Sequence, residues 1–342
     1  MSMIQSIIVN PPEKIQAYTE VTLRGTPPLS GFPLISIDCD SYLVQAELHS
    51  GIDFRPEGRW QHGAIGKGCA LADGVVLMVD QNHDYKAVSQ ESDLSFLNGV
   101  VQERRLPRKS AIIIQNDVWV GSCATIMSGV TLRNGCVVAA RSVVTKDVPP
   151  YAIVGGNPAR ILGYRFDEKT IAGLQKIAFW DWPKELQFSR RDDFALPADE
   201  FVRKYISEAV ENDIPPQEKG PRKAVLFPAD LNSRFPVYCK VMETFFEKDR
   251  PNLELVIYLP EELSSERNVR EIERILKRYQ DRDSFITLQT GITLDERFLF
   301  QSADYYVTTR GEETVRRTCL ADRYGVKILY GTDYPAFPPE LC

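Results

Sequence analysis

At 342 residues, with 43% hydrophobic and 26% charged residues, the chain has an ordinary globular composition and is long for one compact unit, so two domains are expected. A formal net charge of −6 argues against the basic face that nucleic-acid binding needs, and charged residues interrupt every apolar run before it reaches the length of a membrane span. The start, MSMIQSIIVNPPEK, has neither the basic segment nor the long apolar core of a secretory leader, which makes a cytoplasmic location the expectation.

In chain order, the first pattern is a spacing of six. Ile37 and Leu43 carry it weakly; Ile65, Leu71 and Leu77 carry it clearly, with Cys69 and Val75 in a second column. The repeat resumes at Ile114 and runs through Val120, Ile126, Leu132, Val138 and Val144. Its second column, four places on, reads Val118, Ala124, Val130, Cys136, Ser142 and Val148. A period of six is no multiple of 3.6, so a helix would smear this apolar face around its axis. Short β-segments that bend at every sixth residue satisfy it, and stacked coils then bury one continuous core. Asn116, Gly129, Asn134 and Gly135 fall where a bending backbone needs permissive residues. Between the two blocks, residues 82–108 are polar and irregular. On a solenoid such an insertion projects from one face, often the binding face. It opens with Asn82-His83-Asp84-Tyr85.

After Trp182 the period is gone. Phe201, Tyr205 and Ala209, spaced by four, predict a helix over 197–211, and NDIPPQEKGPRK reads as a linker. Strand-like AVLF, LELVIYL, SFITL, YYVTT and KILYG then alternate with helix-like stretches, one of them amphipathic around Val269–Tyr279. That alternation predicts an open, mostly parallel α/β sheet of Rossmann-like type. No G-x-G-x-x-G follows its first strand, so a dinucleotide site is not supported. The division expected is 1–165 for the β-helix with its inserted loop 82–108, 166–214 for a helical extension and linker, and 215–342 for the α/β domain. Seven scattered cysteines without a C-x-x-C pair read as buried free thiols, and no metal site is expected.

The run from Ile114 to Arg160, which ends SVVTKDVPPYAIVGGNPAR, resembles the hexapeptide-repeat acetyltransferases, in particular the xenobiotic-acetyltransferase branch with its chloramphenicol and streptogramin O-acetyltransferases. The following RFDEKTIAGLQKIAFWDWP is similar to that branch too, and the resemblance covers about residues 35–190. It implies a left-handed parallel β-helix, a homotrimer with active sites between subunits, and acetyl-CoA as co-substrate. It implies His83 as the general base that deprotonates an acceptor hydroxyl, with Asn82 and Tyr85 beside the acceptor. Trp119, Ser122, Ala140, Thr145 and Lys146 match positions that line the coenzyme arm, and Arg160 matches one that meets coenzyme phosphates. The chemistry is consistent: histidine titrates near the working pH, and phosphates suit Lys and Arg. Three positions depart from the family pattern: Gln115 and Ala139 stand where Gly is common, and Ser128 where Pro is common.

LNSRFPVYCK and ADYYVTTRGEETVRRTCLADRYGVKIL give residues of about 215–342 a weaker similarity to the C-terminal half of two-domain glycosyltransferases. That family's paired glutamates are incomplete, because Leu320 and Ala321 occupy the spacing after Glu312 and Glu313. The reading that results is O-acetylation of a saccharide hydroxyl. N-acetylation of an amino sugar and a non-catalytic glycan-binding trimer are the alternatives. A trimeric zinc carbonic anhydrase would need three histidines on one metal, and His49, His62 and His83 lack the close pair.

Overall fold

The six-residue period becomes a three-sided solenoid of parallel strands. The structure, a computed structural model, describes residues 6–9, 15–17, 19–21, 35–50, 62–79, 111–211, 218–233, 236–290, 295–309, 311–330, 337 and 341. Its first face stacks Ile35–Ile37, Gly63–Ile65, Ile112–Ile114 and Thr131–Leu132. The second stacks Tyr42–Leu43, Ala70–Leu71, Trp119–Val120, Val137–Val138 and Ala152–Gly156. The third stacks Ala46–Ser50, Val75–Val79, Thr125–Met127 and Val143–Val144.

Register follows the repeat. Ile37, Ile65, Ile114 and Leu132 pair in sequence up the first face, and Leu43, Leu71, Val120, Val138 and Val154 up the second. Leu48, Leu77, Ile126 and Val144 do so on the third. All of them are buried, as is the second column from Cys69 to Val148, so the early coil at Ile37 and Leu43 is part of the core. Gly129 and Gly135 take the left-handed backbone, with φ of 73° and 68°. At Gly135 a Cβ would lie 2.4 Å from the Tyr151 ring, so only glycine fits.

The two asparagines act differently from the expectation. The left-handed residue beside Asn116 is Asp117, at φ 56°. Asn116 Oδ1 accepts from Lys67 N at 2.9 Å, and Asn134 Oδ1 accepts from Asn116 N at 3.0 Å. They form a side-chain ladder that ties one bend to the next, which satisfies backbone donors the bends would leave unpaired.

The hairpin strand Ala159–Tyr164 ends the solenoid, and helices Glu168–Ile177 and Ala198–Glu211 follow. Asp167 caps the first helix by accepting from Thr170 N at 3.0 Å. The two helices cross at Gly173, where a Cβ would meet Val202 Cγ1 at 2.4 Å. Trp180, Phe201 and Tyr205 are buried between them.

The C-terminal part has five parallel strands: Lys223–Pro228, Arg250–Leu259, Ser284–Thr290, Tyr305–Thr308 and Lys327–Tyr330. Counted along the chain they lie in the order third, second, first, fourth, fifth. Successive residues of the first strand point to opposite faces: Val225 and Phe227 enter a core with Phe245, Phe246 and Ile257, while Leu226 meets Phe300 and Tyr306. The helix Thr314–Arg323 docks on the solenoid's first face, with Val315 and Cys319 against Ala64. Asp322 then accepts from Arg133 Nε and Nη2 at 3.0 and 3.1 Å, and from Gln115 Nε2 at 2.7 Å. Gln115, at a position where the family commonly has glycine, is thus a bridge to the fused unit.

Candidate functional site

A three-sided solenoid has three edges, and here each edge carries different chemistry. At the edge between the second and third faces the bends are Gly121-Ser122-Cys123 and Ala139-Ala140-Arg141. They stack directly, with Arg141 N donating to Ser122 O at 2.9 Å. A Cβ at Gly121 would stand 2.6 Å from Ala140 N, so the coils approach closely and glycine keeps this edge flat. Ser122, Cys123, Ala140 and Arg141 are all exposed along it. Trp119 lies beside this edge on the second face, 56% exposed, with Ala70 and Val137 as its register neighbours. A tryptophan with small neighbours on an open sheet face offers a flat surface to an elongated ligand.

Thr145 and Lys146 lie on a different edge, between the third and first faces, directly after Val143–Val144. The chain leaves the third face at Val79 on this same edge and returns at Ala111. Asn82, His83 and Tyr85, and Arg104, Arg105 and Arg108, lie outside the described residues. Arg160 sits on the hairpin at the solenoid's end, where its Nη1 donates to Ala159 O at 2.9 Å. The structure therefore unites Ser122 with Ala140 and puts Lys146 on the edge from which the His83 segment leaves, two coils further along. It does not gather all of the expected coenzyme residues on one edge of a single chain.

Arg141, Lys146 and Arg160 are exposed, and none has an acidic partner in an ion pair among the described residues. Three uncompensated cations around one end of the solenoid suit a ligand with several phosphate charges. Sequence reading missed Arg141. The signal was present in its place between Ala140 and Ser142, but an arginine in a bend reads as a solvated charge until its stacking over Ser122 is seen. Its left-handed φ of 59° is the backbone cost of that bend.

Other candidates fall away. His49 Nε2 pairs with Glu47 at 2.8 Å, and His62 is buried and engaged. Burial pushes the Cys69 thiol up to about 12 and raises Cys136 as well, so neither supplies a nucleophilic thiolate. The six described cysteines are free; Cys69, Cys136 and Cys319 are buried as expected, whereas Cys123 and Cys239 are exposed because they sit on a bend and a helix surface. Among the described residues no group of three or more His, Cys, Asp or Glu could hold a metal ion.

No family model matches the chain. It is 55% identical over 154 residues to a chloramphenicol acetyltransferase of Agrobacterium fabrum, a match covering 43% of this chain and 68% of that protein. It is 36% identical over 148 residues to a probable macrolide acetyltransferase of Lysinibacillus sphaericus, covering 41% and 82%. The chain belongs to the hexapeptide-repeat acetyltransferases, in the xenobiotic branch. A chloramphenicol acetyltransferase of Escherichia coli is 38% identical over 129 residues, 35% of this chain and 60% of that relative's length. The solved polysialic-acid-specific acetyltransferase NeuO shares 27% identity over 39% of this chain and 56% of its own, with a TM-score of 0.27. As a member of this family the chain is an acyltransferase, with acetyl-CoA as its acetyl donor. The flat edge at Gly121 and the three uncompensated cations fit that elongated, phosphate-rich donor.

Proposed function

We propose that the chain transfers acetyl directly from acetyl-CoA to an acceptor hydroxyl, with His83 as general base. The observation that carries this reading is the layout of the third face. One of its edges bears the flat Ser122–Ala140 stack, and the other bears Lys146 and both ends of the His83 segment. In a homotrimer, an edge of one copy can meet the other edge of its neighbour, which would complete a donor groove beside the histidine. The open apolar second face, with Tyr42, Trp119 and Tyr164 exposed, supports such an assembly.

In this mechanism the imidazole removes the hydroxyl proton as the oxygen attacks the thioester carbonyl. The tetrahedral oxyanion then collapses, expelling the coenzyme thiolate, which takes up a proton. Backbone N–H groups at a bend are suitable donors to the oxyanion. Trp119, Ser122, Ala140 and Thr145 would line the pantetheine arm, with Lys146 and Arg160 at the phosphates and Asn82 and Tyr85 at the acceptor.

For the acceptor, the similarity to chloramphenicol and macrolide acetyltransferases favours a small hydroxyl-bearing xenobiotic such as chloramphenicol. A saccharide is the other candidate, on the weaker similarity of residues of about 215–342 to the C-terminal half of two-domain glycosyltransferases. Incubation of purified protein with acetyl-CoA and either acceptor, followed by mass spectrometry, separates the two. Label released by mild base marks an ester; label retained marks an amide and favours N-acetylation of an amino sugar. Failure to bind acetyl-CoA by calorimetry would remove the enzyme reading and leave a glycan-binding module. The domain limits 1–165, 166–214 and 215–342, the left-handed sense of the coils and a cytoplasmic location complete the proposal.

A further inference from the structure

The third edge of the solenoid, between its first and second faces, bears neither donor nor His83 segment. The helical extension and the C-terminal unit converge there around a cleft of about 580 Å³. That volume is in the range of small-molecule sites. Its walls come from Lys67 of a solenoid bend, the helical extension between Lys176 and Ala209, and the C-terminal unit at Asp295, Arg297 and the helix Thr314–Arg323.

That helix has two working stripes. Val315, Cys319 and Asp322, at positions i, i+4 and i+7, face the solenoid. Arg316, Leu320 and Arg323, at the same spacing one residue on, line the cleft. The Arg316 guanidinium is held by both Glu296 and Glu313, which fix its direction. Arg323 forms no ion pair among the described residues, and its guanidinium lies 5.8 Å from the Tyr324 ring centroid.

The acids that line the cleft are already engaged. Asp181 pairs with Lys67 at 3.3 Å, Asp295 with Arg297, and Glu208 with Arg190 at 3.0 Å. Glu296 and Glu313 already match Arg316, so the positive charge that the cleft's carboxylates leave open is that of Arg323, across from the apolar wall of Ile177 and Trp182. Asp181 and Glu208 remain about half exposed, at 44% and 53%, and can accept hydrogen bonds from hydroxyl groups.

We infer that this cleft binds a phosphorylated sugar, with the phosphate on Arg323 and the hydroxyls on Asp181 and Glu208. The site is separate from acetyl transfer and does not depend on which acceptor the enzyme uses. Calorimetry on the full chain with glucose 1-phosphate, inorganic phosphate and glucose tests it. Glucose 1-phosphate should bind once per chain, more tightly than either of the others, and saturating acetyl-CoA should leave that affinity unchanged. Arg323→Glu should weaken it at least ten-fold while sparing acetyl-CoA binding. A circular-dichroism melt checks that the variant is folded, and Lys176→Glu provides an independent variant from the facing wall. Equal affinity in wild type and both folded variants, no binding by wild type, displacement by acetyl-CoA, or equal binding of glucose or inorganic phosphate would each overturn the inference.

Discussion

The solenoid and the C-terminal sheet hold themselves together by different means. In the solenoid, aliphatic residues repeat in columns, each coil rests on the next, and the chemistry is displayed on exposed edges. The C-terminal unit packs large aromatic side chains, Phe245 and Phe246 among them, and also buries charge. Arg317, 8% exposed, grips Glu296 through Nε and Nη2 at 3.0 and 2.6 Å, and Arg316 joins the same carboxylate. Repetition makes the register of the first unit robust, and none of the residues in its columns is charged. The second has no repeat, and its helices are held in place by ion pairs that exist in one arrangement only.

The largest expected effect tests the division of labour between the two. His83→Ala should lower turnover by about 10²–10⁴-fold with acetyl-CoA affinity retained, as read from steady-state kinetics and calorimetry. An unchanged rate would remove His83 as the base.

Next comes the contrast between the two cores. Glu296→Gln should destabilise the C-terminal unit by about 3–5 kcal/mol, because two arginines lose their common counter-charge. Burial alone would raise the Glu296 carboxyl, but Arg317 and Arg316 outweigh it and hold the group below its ordinary value. Its stabilising contribution is therefore present above the ordinary carboxylate range and is lost as pH falls through the lowered value. Acid titration of the melting temperature should show that loss in wild type and a flatter limb in Glu296→Gln. In the solenoid, Ile126→Ala should cost about 2–5 kcal/mol for the cavity it leaves, with no such pH dependence.

Smaller effects probe the joint and the edges. Asp322→Ala removes the acceptor shared by Arg133 and Gln115 and should cost about 2 kcal/mol. Faster limited proteolysis between the units, with acetyl transfer kept within about two-fold, is the expected result. Lys146→Ala and Arg160→Ala should raise the KM for acetyl-CoA about 3–10-fold each, with the difference shrinking at high salt.

The coils were legible because Ile114 to Val144 repeat with a period that only stacked β-bends satisfy. The five C-terminal strands were legible as well, since their apolar runs are short and bounded by charged helices. The joint between the units was not. Gln115 and Asp322 are 207 positions apart, and local pattern carries no information about such a pair. Gln115 stood out as a departure from the family, but only the docked helix gives it a role. The edges were legible in part: the motif named Ser122, Ala140, Lys146 and Arg160, while their distribution over two edges and a hairpin depends on how the coils turn. Asp117 shows the limit at one residue, since Asn116 has the more permissive composition but uses its side chain in the ladder.

The bends of the solenoid also bear on how the chain can change. Up the first–second edge, Asn134 serves Asn116 across 18 positions of sequence, whereas Asn116 serves Lys67 across 49. The ladder is continuous in both places, so the long excursion that includes His83 leaves the coil geometry undisturbed. By loop-closure entropy, lengthening that connection from one span to the other costs only about 1 kcal/mol. A chain built this way can exchange that segment at small thermodynamic cost, while the stacked coils stay as they are.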